Sequence, residues 1–271
     1  MLTDLTLGQY YPGNSLLYRL DPRMKLVLTL LYIIAVFIPH HWVGLGVTVF
    51  LLIGCLLLSR LPLKLIWRSI KPLLILIVLT SLLNMFYVTG GEPLLDWWII
   101  HITTRGVSTA VFISVRIVCL VTGSSLLTYT TTPTALTDAI EYLLAPLKII
   151  HVDPHDLAMM MTIALRFIPT LMEETDKIIA AQKARGADFE SGNLLRRVKA
   201  LVPILIPLFV SSFRRAYDLA TAMECRCYQG GEGRTRMKRL QTAARDWIAL
   251  AVAVTVMAGL ILLNVVFPSV L

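Results

Sequence analysis

Charge is what this sequence holds least of. Asp, Glu, Lys and Arg make up 15% of its 271 residues, where a soluble domain carries about 25%. Hydrophobic residues reach 56% and the mean hydropathy is +0.73. A soluble fold must clothe itself in polar groups and cannot bury that much apolar surface, so water is excluded as the main solvent and the bilayer is expected. Catalytic signatures are missing too. There is no G-x-x-x-x-G-K-[ST], no H-E-x-x-H and no G-x-S-x-G, so nucleotide binding by a P-loop, zinc peptidase chemistry and serine hydrolysis are not expected of this chain. Histidines are few and carry no ligand spacing: His40 and His41 stand at the end of an apolar run, and His151 and His155 flank a helix start. No metal site and no cofactor are expected. Of four cysteines, Cys55 and Cys119 lie in apolar runs, while Cys225 and Cys227 are too close together for a metal ribbon and lack a second half. All four are expected as reduced thiols. No cleavable leader is read at the start, because Met1 to Lys25 is mostly polar or turn-like.

What the chain does hold is long apolar runs. About 20 residues of helix cross the hydrocarbon core. Candidate spans are Leu26–Ile38 (short, closed by Pro39-His40-His41), Trp42–Leu58, Ile70–Val88, Gly106 to about Leu127, and Trp247–Phe267. The formal charge of +8 collects on one side of these runs. Arg19, Arg23 and Lys25 precede the first, and Arg60, Lys64, Arg68 and Lys71 separate the second from the third, whereas the opposite connections hold only Arg105. The positive-inside rule then places the N-terminus and the second connection in the cytoplasm. No basic face is interleaved with aromatics, so nucleic acid is not an expected partner; the lipid bilayer is.

Between Tyr129 and Arg245 the chain turns amphipathic. From Arg166 to Arg245 it carries 15 Lys and Arg against 8 Asp and Glu, nearly the whole basic excess. Helices are predicted from Thr132-Pro133 to about Ala145-Pro146, from Asp153-Pro154 past Pro169 towards Gly186, and from about Asn193 to Tyr228, with bends at Pro203 and Pro207 and a stop at Gly230-Gly231-Glu232-Gly233. Their apolar segments, Leu157–Ile168 and Leu201–Val210, are short and flanked by charge. They are read as packing under the bundle or dipping into the interface, with a tight pair of extra spans as the competing arrangement. The fold class expected is therefore all-α: a polytopic membrane protein of about five transmembrane helices, with spans in residues 1–128, a cytoplasmic helical domain in 129–245 and a last span in 246–271. The basic cluster Arg234, Arg236, Lys238 and Arg239 suits lipid phosphates or a plain cytoplasmic flank equally.

Two helix ends carry the functional inference. One reads Ala184-Arg185-Gly186, the other Cys225-Arg226-Cys227. A glycine after a helix end allows the left-handed turn that satisfies the last carbonyls. Arginine there suits the negative end of the dipole and offers a planar donor fork for carboxylates. Either end alone is simply a helix stopping with a basic last turn. Two in succession suggest a paired device that presents arginines to a partner with two acidic grooves.

These ends, together with Asp21-Pro22-Arg23-Met24-Lys25-Leu26, Thr131-Thr132-Pro133 through Pro146-Leu147, and Ala164-Leu165-Arg166-Phe167-Ile168-Pro169-Thr170, resemble the T component of energy-coupling factor transporters over nearly the whole chain. The resemblance implies a bacterial cell-membrane scaffold that binds two cytoplasmic ABC ATPases and a small substrate-binding membrane subunit, the S component. It would pass ATP-driven motion to that subunit for uptake of vitamins or other micronutrients. Ala184, Arg185, Gly186, Cys225, Arg226 and Cys227 would then be the ATPase-binding residues. The second signature departs from the family, which has Ala and Gly where this chain has Cys225 and Cys227. Cys227 lacks glycine's tolerance of positive φ, so Gly230 is an alternative end for that helix. A dedicated cobalt or nickel permease subunit is the nearer alternative function, and a stand-alone membrane enzyme or carrier the remoter one. Gly106, Ser108, Arg116 and Gly123 are expected to pack the bundle or meet the S component, with Arg116 bonding carbonyls or polar groups such as Asn84 or Ser114.

Overall fold

The computed structural model describes residues 10–88, 90, 93–97, 100–150, 154–187, 189, 193–230 and 240–266. Asp153 and the basic cluster Arg234, Arg236, Lys238 and Arg239 lie outside them. The described residues fall into two compact units, one from 10–139 with 240–266, the other from 140–230.

The first unit is a helical bundle. Asp21 caps α1 (Pro22–Phe37) by accepting the Arg23 amide at 2.9 Å, with Pro22 supplying a preset φ at the first helical position. The helix α2 (Trp42–Ser59) ends on Arg60, which takes a left-handed conformation and returns its amide to the Leu56 carbonyl. The amphipathic α3 (Leu63–Ile70) continues through a 3₁₀ turn at Lys71–Leu73 into α4 (Leu74–Tyr87). Pro72 accounts for the tightening, because it has no N–H to return to the Arg68 carbonyl. A two-stranded antiparallel hairpin, β1 (Pro93–Trp97) and β2 (Ile100–Thr103), leads into α5 (Thr104–Thr130). The bundle closes with α9 (Ala244–Val266).

The α5 helix is the hub, packed by α1, α2, α3 and α4, while α9 packs on α1 and α2. Val36, Leu52 and Cys119 form the buried centre, flanked by Tyr32, Val49 and Leu126. Two glycines make the close approach possible. A Cβ on Gly123 would stand 2.1 Å from a Tyr32 ring carbon, and one on Gly106 would meet the carbonyl oxygens of Met85 and Val88 at 3.0 and 3.1 Å. Polar groups pin both ends of the bundle. At one end Asp246 accepts the Asp21 amide at 2.9 Å and the Ala243 amide at 2.7 Å, and the Lys25 ammonium donates to the Thr130 carbonyl at 3.0 Å. At the other, Asn264 donates to the Ile38 carbonyl at 3.1 Å and Arg116 donates to the Pro39 carbonyl. Asn84 and Ser114 are therefore not the partners of Arg116. Each instead donates to a carbonyl of its own helix, those of Thr80 and Ala110.

Among the described residues five stretches are long and apolar enough to cross a membrane: α2, Leu63–Tyr87, α5, Val198–Glu224 and α9. The set differs from the five read in the sequence. At 16 residues α1 is too short, about 24 Å of helix. A stretch in the second unit passes on length and composition alone, with the lowest mean hydropathy of the five, and it holds Arg214 and Arg215, charges that are costly at the bilayer centre. On α4 no side chain is buried and Ile75 is 79% exposed, as befits a surface solvated by lipid tails.

Candidate functional site: two arginine-bearing helix ends

Next along the chain after α5 is α6 (Pro133–Leu143), where Thr132 caps the helix by accepting the Ala135 amide at 3.3 Å. After a 3₁₀ segment at Ala145–Ile150 come α7 (Pro154–Ala184) and α8 (Leu194–Glu224), each of 31 residues. On α7, Asp156 in the first turn and Lys183 in the last complement the helix dipole. The helix runs through Pro169, and α8 runs through Pro203 and Pro207.

The two long helices pack on each other through polar contacts that fix their direction. Glu174 accepts from Ser211 and Arg215, and the Gln182 side-chain amide donates to the Pro203 carbonyl at 3.4 Å. Contacts advance along α7 as they retreat along α8, so the pair is antiparallel. Its two C-terminal ends therefore lie at opposite ends of the pair. Arg226 stands beyond the Gln182–Pro203 contact by 23 residues of chain, about 35 Å at helical rise.

Each end is closed by the same backbone device. At α7 the Gly186 amide bonds the Lys183 carbonyl at 3.0 Å and the Ala187 amide bonds the Gln182 carbonyl at 3.0 Å. At α8 the Cys227 amide bonds the Glu224 carbonyl at 2.8 Å and the Tyr228 amide bonds the Met223 carbonyl at 3.0 Å. Both are Schellman turns, in which paired 5→2 and 6→1 bonds satisfy the last helical carbonyls. The residue that must turn left-handed is Gly186 at φ 85° and Cys227 at φ 56°. The left-handed residue that closes the helix is thus Cys227 and not Gly230, whose φ of 91° belongs to the chain three residues further on. Cysteine accepts the conformation at a cost of about 1 kcal/mol, set against two backbone bonds that would otherwise be lost.

In both turns the residue just before the left-handed one is an arginine, Arg185 or Arg226. Both are exposed, as are Ala184, Gly186, Cys225 and Cys227. Nothing within 4 Å would meet a Cβ on Gly186, so φ alone constrains that position. The two ends thus present a guanidinium beside small neighbours, at the negative pole of a helix, to whatever lies beyond.

The remaining sequence-predicted residues do other things. Gly106, Gly123 and Arg116 are occupied inside the bundle, as described, and Arg116 also lies 4.8 Å over the Phe112 ring. The Ser108 hydroxyl turns back to the Arg105 carbonyl at 2.9 Å. Sequence reasoning passed over Gln182. Its signal was Pro207 four residues after Pro203, which leaves the Pro203 carbonyl of α8 without its helical donor.

The sequence pattern of the family described as cobalt transport protein matches residues 13–237. The chain is 50% identical over 268 residues to the energy-coupling factor transporter transmembrane protein of Ruminiclostridium cellulolyticum, covering 98% of this chain and 100% of that one. It is 54% identical over 252 residues to the protein of the same name from Clostridium kluyveri, covering 92% and 93%. With that of Acidaminococcus fermentans it shares 55% over 247 residues, 91% of each. Matches of this extent, spanning bundle and helix ends alike, place the chain in the family of transmembrane proteins of energy-coupling factor transporters.

Proposed function

We propose that the two arginine ends are the sockets through which this transporter subunit receives ATP-driven motion. Arg185 seats on one cytoplasmic ABC ATPase and Arg226 on a second, equivalent one. The observation that carries the reading is the matched pair of Schellman turns at opposite ends of an antiparallel helix pair. A separation of this order suits two motor subunits and not one. The chain hydrolyses no ATP itself; its partners do. In this reading the N-terminus and residues 129–245 face the cytoplasm, and α7 and α8 relay motor movement to a small substrate-binding S component in the membrane. An apolar row on one face of α8, Leu205, Phe209, Phe213 and Tyr217, spaced every four residues and exposed, is a seat for that component. Vitamins or other micronutrients are the cargo, and their choice resides in the S component. The name of the matching family favours a second cargo, cobalt or a similar metal ion, carried by the same machinery.

The test is co-purification from membranes that express the chain with its ATPases. Arg185→Glu together with Arg226→Glu is expected to release both ATPases while the chain stays membrane-inserted. Normal recovery of the ATPases with the double variant would overturn the assignment.

A further inference from the structure

Within α8, Pro207 has no N–H, so the Pro203 carbonyl one turn earlier lacks its helical donor. An unpaired carbonyl in a helix is taken up by water or by a side chain from a neighbour. Here the donor comes from α7: the Gln182 side-chain amide reaches the Pro203 oxygen at 3.4 Å. The backbone of the same residue does something else. The Gln182 carbonyl accepts the Ala187 amide at 3.0 Å and the Arg185 amide at 3.1 Å, and the first of these closes the Schellman turn. One residue therefore holds both the turn that aims Arg185 and the proline-freed carbonyl of the opposing helix.

We infer that Gln182 is a positioning residue that ties the aim of Arg185 to the proline-interrupted turn of α8. It rests on the reading of Arg185 as an ATPase contact only for its functional consequence; the tether itself does not. At the α8 end the residue in the equivalent place is Met223, whose carbonyl closes the turn but whose side chain has no N–H to offer a neighbouring helix. The arginine of α7 is thus set by its own helix and by α8 together. Movement at the proline-interrupted turn of α8 shifts the α7 tip directly.

The experiment is a double-mutant cycle on the full chain in nanodiscs. Gln182→Met keeps side-chain length and helix propensity but removes the donor. Pro207→Ala restores an amide to α8 and returns the Pro203 carbonyl to its own ladder. Two readouts are taken, hydrogen exchange at the Gly186 and Ala187 amides of the chain alone, and affinity for the purified ATPases. Gln182→Met is expected to speed exchange at both amides and to weaken ATPase binding by about fivefold, the equivalent of one net hydrogen bond. In the Pro207→Ala background the same substitution should add nothing to either readout. Equal effects of Gln182→Met in both backgrounds, or unchanged exchange in the Pro207-containing chain, would overturn the tether. Arg185→Glu serves as the control. If it leaves ATPase affinity unchanged while exchange follows the cycle, the tether stands and the ATPase contact falls.

Discussion

The ends of α7 and α8 share a backbone and differ in nearly everything that surrounds it. One turns on Gly186 and is anchored sideways by Gln182; the other turns on Cys227 and has Met223 in the anchoring place. The comparison separates what defines the turn from what decorates it. Two hydrogen bonds and the exposed arginine before the left-handed residue are common to both, and glycine is not. A residue with a Cβ at φ 56° persists because the bonds that close the turn outweigh its modest strain.

The comparison breaks first at the arginines. If the ends are equivalent sockets, Arg185→Glu and Arg226→Glu made singly should each weaken ATPase binding by a similar factor, at least tenfold, since each replaces a cation with an anion opposite an acidic groove. Titration of purified ATPases onto each variant reads this. A loss at one end only would show that the turns match in shape alone.

A second, smaller effect uses native thiols. Cys225 and Cys227 are exposed, Cys119 is buried and Cys55 partly buried within the bundle. A membrane-impermeant maleimide should label Cys225 and Cys227 in inside-out vesicles and not in intact cells, and bound ATPases should slow the reaction about tenfold. Labelling from outside the cell would place this end on the opposite face.

The smallest effects concern the left-handed residues and carry opposite signs. Gly186→Ala forces a Cβ into positive φ and should destabilise the α7 turn by roughly 1 kcal/mol. Cys227→Gly removes the same strain from the α8 turn and should leave it equally or more stable, to within its added unfolded-chain entropy. Hydrogen exchange at the Ala187 and Tyr228 amides measures both, and a matched sign at the two ends would mean that the turns are not held alike.

The residues that were legible in the sequence are those whose partners lie within a turn or two. Thr132 capping α6 and the Gly186 stop are local chemistry. Cys227 is equally local, yet its identity pointed to Gly230, because a preference for glycine is weaker than two closing hydrogen bonds. What could not be read is what joins distant segments. Gly123 beneath Tyr32, Arg116 on the Pro39 carbonyl and Asp246 on the Asp21 amide each depend on a helix arrangement that hydropathy does not encode. Hydropathy also blurred α1 and α8. The first is apolar but brief, and the second is interrupted by paired arginines yet long enough to pass.

The clasp of Asp246 on Asp21 joins residues 225 positions apart in sequence. During synthesis the ribosome delivers α1 before α9, so the amide at the head of α1 waits for the 225 positions that follow it before it meets its acceptor. Assembly of the bundle is therefore sealed by its final segment. A nascent chain stalled before α9 keeps an open seam in the membrane, the kind of unfinished surface that membrane proteases inspect.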